Sequence, residues 1–297
     1  MKITSVIFLV VGIVISITGY ILCSIAEGIA KDAGEYDQLF EYSYDDEGNI
    51  VNEFGFSKDA MVEIDEDGNE IKKSAVRKTS LIFKDTDILV LGGAERSRVV
   101  FQNMMEGRYT YHISNNALYM TNQPAITDIL QSEGLRFDGL RKFLNMSKYN
   151  GEPKVILYIS DADDLKQYDF ELTNCTLQMV NIVGSYDMRL TATDSTISMT
   201  NCTTASTMRL DLTNCNTTLE TVDYTELLIQ GSGGELRYDD TAIAYLFRYD
   251  ISSEGGSLNL NGIDQELPSY TANLSGEDFH SMSLHMTGTK LTILCSG

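Results

Sequence analysis

Between residues 170 and 262 the chain repeats one unit of strand, tight turn and strand: "FELTNCTLQMVN", "MRLTATDSTISMTN", "LDLTNCNTTLET", "LLIQGSGGELRY" and "YDISSEGGSLNLNG". The turn centres fall at Asn174-Cys175, Asp194-Ser195, Asn214-Cys215, Gly233-Gly234 and Gly255-Gly256, separated by 20, 20, 19 and 22 residues. A steady period near 20 marks a solenoid, whose coils bury a core by stacking on their neighbours. The turn occupants are largely Asn, Asp and Gly, the types that tolerate positive φ, so a recurring corner is the physical reason for the repeat. Successive coils then rise by about one strand spacing, roughly 4.8 Å.

This register settles what the cysteine-bearing near-copies "LTNCT", "MTNCT" and "LTNCN" are. Cys175 and Cys215 occupy equivalent corners two coils apart, roughly 9.6 Å on that geometry and beyond the roughly 7 Å Cα limit for a disulfide. Cys202 follows Cys175 by 27 residues and falls on a different part of the coil. The spacing therefore predicts three unpaired, buried thiols acting as small hydrophobes, and no three-cysteine metal centre.

Upstream, "SLIFKD", "DILVLGG", "RVVFQNM", "RYTYHIS", "ALYMTNQ" and "KVILYIS" alternate as short strands. They are interrupted by "AITDILQSEGLRFDGLRKFLNM", where Ile126, Ile129, Leu130, Leu140, Phe143 and Leu144 recur at helical spacing. The expected fold class is all-β. It is a single-sheet-stacked β-solenoid, β-helix-like, with a short helical insertion and one N-terminal transmembrane helix before it. The boundaries read as 1–27 for a transmembrane anchor, 28–78 for an acidic region with two hairpins, and 79–297 for the solenoid.

The anchor rests on "TSVIFLVVGIVISITGYILCSIA": no residue from Ile3 to Ala26 is charged. At about 1.5 Å per residue the run covers a hydrocarbon core roughly 30 Å thick. A cleavable signal has a shorter apolar stretch of about 7–15 residues. Lys2 precedes the span, and after it Glu27, Asp32 and Glu35 outnumber Lys31, so the bulk of the chain is expected outside a cell membrane crossed once.

Charge and motifs narrow the chemistry. With Lys plus Arg at 22 against 43 Asp plus Glu, the net charge of −21 repels nucleic acid. Gly-x-Gly-x-x-Gly, Walker and zinc-protease patterns are absent from the sequence, and "GSGGE" falls on a solenoid corner. "DEDGNE" offers oxygen ligands but lacks calcium-loop spacing. His280 and His285, five apart on a strand, face opposite ways. No catalytic residue, cofactor site or metal site is expected.

One hydrophobic anchor, then "LIFKDTDILVLGG", a strand pair ending "ALYMTNQ", and "KVILYISDADDLKQYDFELTNCTLQMVN" with corner-punctuated strands after it, resembles the bacterial putative-adhesin domain family of unknown function. That family looks related to the toast-rack domains of envelope-stress proteins. The resemblance covers the anchor and roughly residues 79–297. It departs at Ser160, where the family commonly has Pro, and at corners carrying Asn-Cys or Asp-Ser in place of Gly. It implies a membrane-tethered extracytoplasmic β-solenoid without known catalysis. The leading expectation is a non-enzymatic protein presenting an interaction surface, in adhesion or cell-envelope stress signalling.

The alternative is a carbohydrate-active enzyme on a parallel β-helix, which would need stacked carboxylates on one face; the repeated corner instead carries Asn, Asp, Asn, Gly, Gly. Partners are expected to be the membrane, through the helix, and an envelope protein or surface polymer, with self-association left open. The strand "KLTILCSG", with Leu291 and Ile293 alternating, is the candidate docking edge, the other reading being that it is covered within the fold.

Overall fold

The structure is a computed structural model; it describes residues 11–22, 25, 43–56, 62–64, 70–72, 75–104, 109–122, 152–161, 165–203, 206–240, 247–266, 269–272 and 280–295. Two compact units divide the chain, Met1–Ile50 and Val51–Gly297. In the first, residues 11–22 form a helix whose apolar side chains, Ile15 and Leu22 among them, are exposed. Ser16 and Thr18 donate their hydroxyls to the carbonyls of Gly12 and Val14. No helix among the described residues is long and apolar enough to cross a membrane. Apart from Ile25, which is also helical, the rest of the expected span lies outside the described residues, as does the expected helical insertion of 125–146.

The strands before the repeat are β1 (Ser43–Tyr44), β2 (Ile50–Gly55), β3 (Val62–Ile64), β4 (Glu70–Lys72), β5 (Lys78–Lys84), β6 (Asp87–Leu91), β7 (Arg98–Gln102), β8 (Thr110–Ser114), β9 (Ala117–Thr121) and β10 (Lys154–Tyr158). The turn that follows β1 is closed by Asp45, whose carboxylate accepts from the Asn49 N–H at 2.7 Å, and β3 pairs antiparallel with β4. The repeat contributes β11 (Gln167–Thr173), β12 (Thr176–Val180), β13 (Asp187–Thr193), β14 (Thr196–Thr203), β15 (Thr207–Thr213), β16 (Asn216–Asp223), β17 (Glu226–Ser232) and β18 (Glu235–Asp240). The chain closes with β19 (Phe247–Glu254), β20 (Ser257–Leu260), β21 (Ile263–Gln265), β22 (Ser269–Ala272), β23 (His280–Thr287) and β24 (Lys290–Cys295).

The coils stack as two sheets, not the single sheet expected. Each coil gives one strand to either side of its corner, so one sheet runs β2-β7-β10-β6-β12-β14-β16-β18-β24-β20-β21 and the other β22-β19-β23-β17-β15-β13-β11-β5-β9-β8. Pairing between coils is parallel and in register, as in Phe170↔Leu190 and Leu190↔Leu210. Antiparallel pairs close the ends: β7 and β2 beyond β10, β8 beside β9, and β21 and β22 on the last coil.

Alternation places every second side chain inside. Leu81, Phe170, Leu190, Leu210, Ile229, Leu284 and Ile251 therefore form one continuous apolar column, each at 0–1% exposure. Ile88, Leu177 and Ile197 face it from the other sheet. At the β8 end Phe54 stacks on Tyr111 at 4.1 Å between centroids, and Phe101 on Tyr109 at 3.9 Å.

Candidate interaction surface at the solenoid corner

Every corner has two residues with different duties. The first turns the chain: Asn174, Asp194 and Asn214 have φ of 51°, 51° and 53°, and Gly233 and Gly255 have 69° and 70°. The second is small. Cys175, Ser195 and Cys215 point inward and are buried, whereas Gly234 is exposed and Gly256 half-buried, each with the backbone of the neighbouring rung standing where a Cβ would be. A Cβ on Gly234 would lie 2.0 Å from the Cys215 carbonyl oxygen, and one on Gly256 2.3 Å from that of Thr289.

Two further corners escaped the sequence reading. Asp85-Thr86 joins β5 to β6 and Gly288-Thr289 joins β23 to β24, with φ of 51° at Asp85 and 63° at Gly288. Their signal was present, a turn-forming residue followed by a small hydroxyl between alternating strands. Neither is spaced by 20 from its spatial neighbour, because long segments intervene in the chain.

The inward residues form a second repeated bond. Thr86 and Ser195 donate their hydroxyls to the carbonyls two residues before, Lys84 and Thr193, both at 2.8 Å. The thiols of Cys175 and Cys215 make the same bond to Thr173 and Thr213, at 3.2 and 3.3 Å. The cysteine is thus a thiol standing in a Ser/Thr position. Burial raises the pKa of both thiols above the ordinary value. Among the described cysteines, Cys175, Cys202 and Cys215 are all free and buried, as the register requires.

Cys202 belongs to another bend. Asn181, Asn201 and Thr221 carry φ of 56°, 53° and 53° at 20-residue intervals, and Cys202, the residue after the second of them, pairs with Val222 inside. The repeated pentamers therefore mark two different bends of the coil. Burial pushes the Cys202 thiol up to about 11.

Outside, the corner residues hydrogen-bond along the stack. Asn174 donates its amide to Asp85 at 2.6 Å and Asn214 donates to Asp194 at 3.2 Å, so acid and amide alternate as Asp85, Asn174, Asp194, Asn214. Alternation supplies each carboxylate with a donor and keeps like charges from adjacent rungs. Asn122 closes one end, accepting from the Lys84 N–H at 2.9 Å and donating to the Thr86 hydroxyl at 2.8 Å.

On either side of this line lie two columns of short polar side chains. Thr173, Thr193, Thr213, Ser232 and Thr287 are in register on one sheet. Thr176, Thr196 and Asn216 are in register on the other. Around the coils of β11 to β16 the result is a strip three side chains wide, made of hydroxyls, amides and one carboxylate, repeating at each rung.

Leu291 and Ile293 require a correction. β24 is not an edge: it pairs with β18 on one flank and β20 on the other, and both side chains are 0% exposed. An alternating strand enclosed between two sheet neighbours reads the same in sequence as one at a rim. His285 is exposed, with Ser252 Oγ 2.8 Å from its Nδ1. Among the described residues no three His, Cys, Asp or Glu side chains group as metal ligands do.

Fold and corner define an all-β protein of stacked parallel coils with a shared corner. No family model matches the chain, and no curated protein does. Among solved structures it is similar to a putative cell adhesion protein from Clostridium sporogenes, with 9% identity, 83% of this chain and 99% of that chain covered, and a TM-score of 0.45.

Proposed function

We propose that this chain is a non-enzymatic interaction scaffold, tethered to a cell membrane by its N-terminal apolar segment and displaying its coils outside, in adhesion or in cell-envelope stress signalling. The observation that carries the reading is the polar strip at the corner, whose columns at Thr173, Asn174 and Thr176 recur on the next two rungs. Rows of short, rigidly spaced donors and acceptors suit an extended partner met at many points, a surface polymer or an envelope protein, better than one small substrate. The charge of −21 favours neutral or cationic partners. Tethering is motivated by the charge-free run from Ile3 to Ala26.

The test is attachment. Beads coated with the protein should bind cells or isolated envelope polymer, and Thr196→Arg with Thr213→Arg, both on exposed positions of the strip, should reduce binding at least about fivefold with an unchanged melting curve. Binding indifferent to that pair sinks the strip as the docking site. Cleavage of an envelope polysaccharide by the purified chain would replace the scaffold reading with the enzyme one.

A further inference from the structure

The last coil in sequence is not the last in space. β19–β20 follows β17–β18 along the chain, yet β23–β24 lies between them, paired in parallel with β17 and β18 on one side and β19 and β20 on the other. Residues 280–295 thus occupy a slot whose two walls are coils made earlier in the chain.

The slot is shaped for this segment. Thr289 donates its hydroxyl to the Gly233 carbonyl at 3.1 Å, Lys290 meets Glu235 at 2.6 Å, and the Ser252 hydroxyl lies 2.8 Å from His285 Nδ1 on the opposite wall. Leu284 and Leu291 complete the apolar columns of Ile229 with Ile251 and of Leu236 with Leu258. The segment is one strand, corner and strand, and residues 273–279 join it to β22, which is itself paired with β19 of the wall.

We infer that β23–β24 is an exchangeable coil, and that the partner fitting its slot is the same segment of a second copy of this chain. Every bond just named forms equally when residues 280–295 come from another molecule, so exchange conserves the contacts of the slot and alters only the path of the linker. Swapping an identical element is for that reason a low-cost route to a dimer. The inference stands on pairing topology and does not depend on the function of the corner strip.

The experiment uses full-length chains in which Cys23 and Cys295 are replaced by Ser. One population carries Leu228→Cys and the other Ser283→Cys, positions that are direct partners on β17 and β23. A second mixture pairs Arg237→Cys with Thr292→Cys, partners on β18 and β24. After mixing, incubation below the melting temperature and treatment with a short bismaleimide, exchange yields linked 228–283 and 237–292 peptides in a covalent dimer. The linked fraction should grow about tenfold for a tenfold rise in concentration in the dilute limit, as mass action requires. Glu171→Cys mixed with Ser283→Cys, on rungs that are not neighbours, sets the level of random encounter. Links no higher than that level, in variants that melt like the parent, overturn the inference. A link in one sheet and not the other also overturns it, because the coil would not be moving as a unit. Should one variant fail to fold, the other mixture decides alone.

Discussion

At the residue scale, the corner separates two kinds of cysteine. Cys175 shares its site with Ser and Thr on other rungs and donates to a carbonyl, so Cys175→Ser should change unfolding free energy by less than about 1 kcal/mol. Cys202 also donates, to the Thr200 and Met179 carbonyls at 3.6 Å, but it is fully buried and in register with Val222, so Cys202→Ser should cost about 1–3 kcal/mol; urea titration of both variants measures the contrast. The raised Cys202 pKa also fixes a pH dependence. The stability it contributes is complete below the ordinary thiol value of 9.0 and is lost as pH rises towards about 11, because the unfolded chain ionises first. The loss is on the order of 2–3 kcal/mol at about 1.4 kcal/mol per pK unit. Stability that stayed level from pH 8 to 11 in Cys202-containing protein, relative to Cys202→Ala, would contradict the burial of this thiol.

The element scale concerns coil and corner. Gly255 has φ of 70° and open space, with no heavy atom within 4 Å of where a Cβ would stand, whereas Gly234 at φ 74° has the Cys215 carbonyl in that place. Gly255→Asn restores the residue used at Asn174 and Asn214 and should leave the melting temperature within a few degrees. Gly234→Ala drives backbone apart and should cost more than about 2 kcal/mol; thermal melts of the two variants decide it. These corners show how much of the fold was legible. The pair Asn174-Cys175 announces both its duties in sequence, a turning residue and a small inward one. Asp85-Thr86 and Gly288-Thr289 do the same chemistry, but their spatial neighbours are remote in the chain, and periodicity carries no information about remote pairing. The stacking order was hidden for a related reason: Ile229, Leu284 and Ile251 are chemically alike, so alternation alone lets any coil sit on any other. The candidate surface was half visible, since the corner acids and amides read as turn formers, while the Thr columns beside them emerge only when the rungs are aligned.

For the whole molecule, in-register stacking makes one coil removable. Deleting residues 176–195 joins Cys175 to Thr196, keeps a two-residue corner, and brings β14 to the place of β12 and β15 to that of β13. A solenoid tolerates this, because each coil contacts chiefly its two neighbours. The shortened chain should fold, unfold in one transition and lose stability, with a smaller denaturant m-value reflecting the smaller surface exposed. Failure to fold would mean that these coils are not equivalent. The interleaved coil has a consequence in time. Ribosomes add about 5–20 residues per second and domains form as the chain emerges. When β20 has been made, the 35 residues from 261 to 295 are still to come, on the order of 2–7 seconds of synthesis at that rate. During those seconds β17 and β18 wait with bare strand edges, the state in which neighbouring nascent chains are most prone to join. Slowing translation beyond codon 260 lengthens that exposure, and the yield of native protein from crowded polysomes becomes a measure of how long the slot stands open.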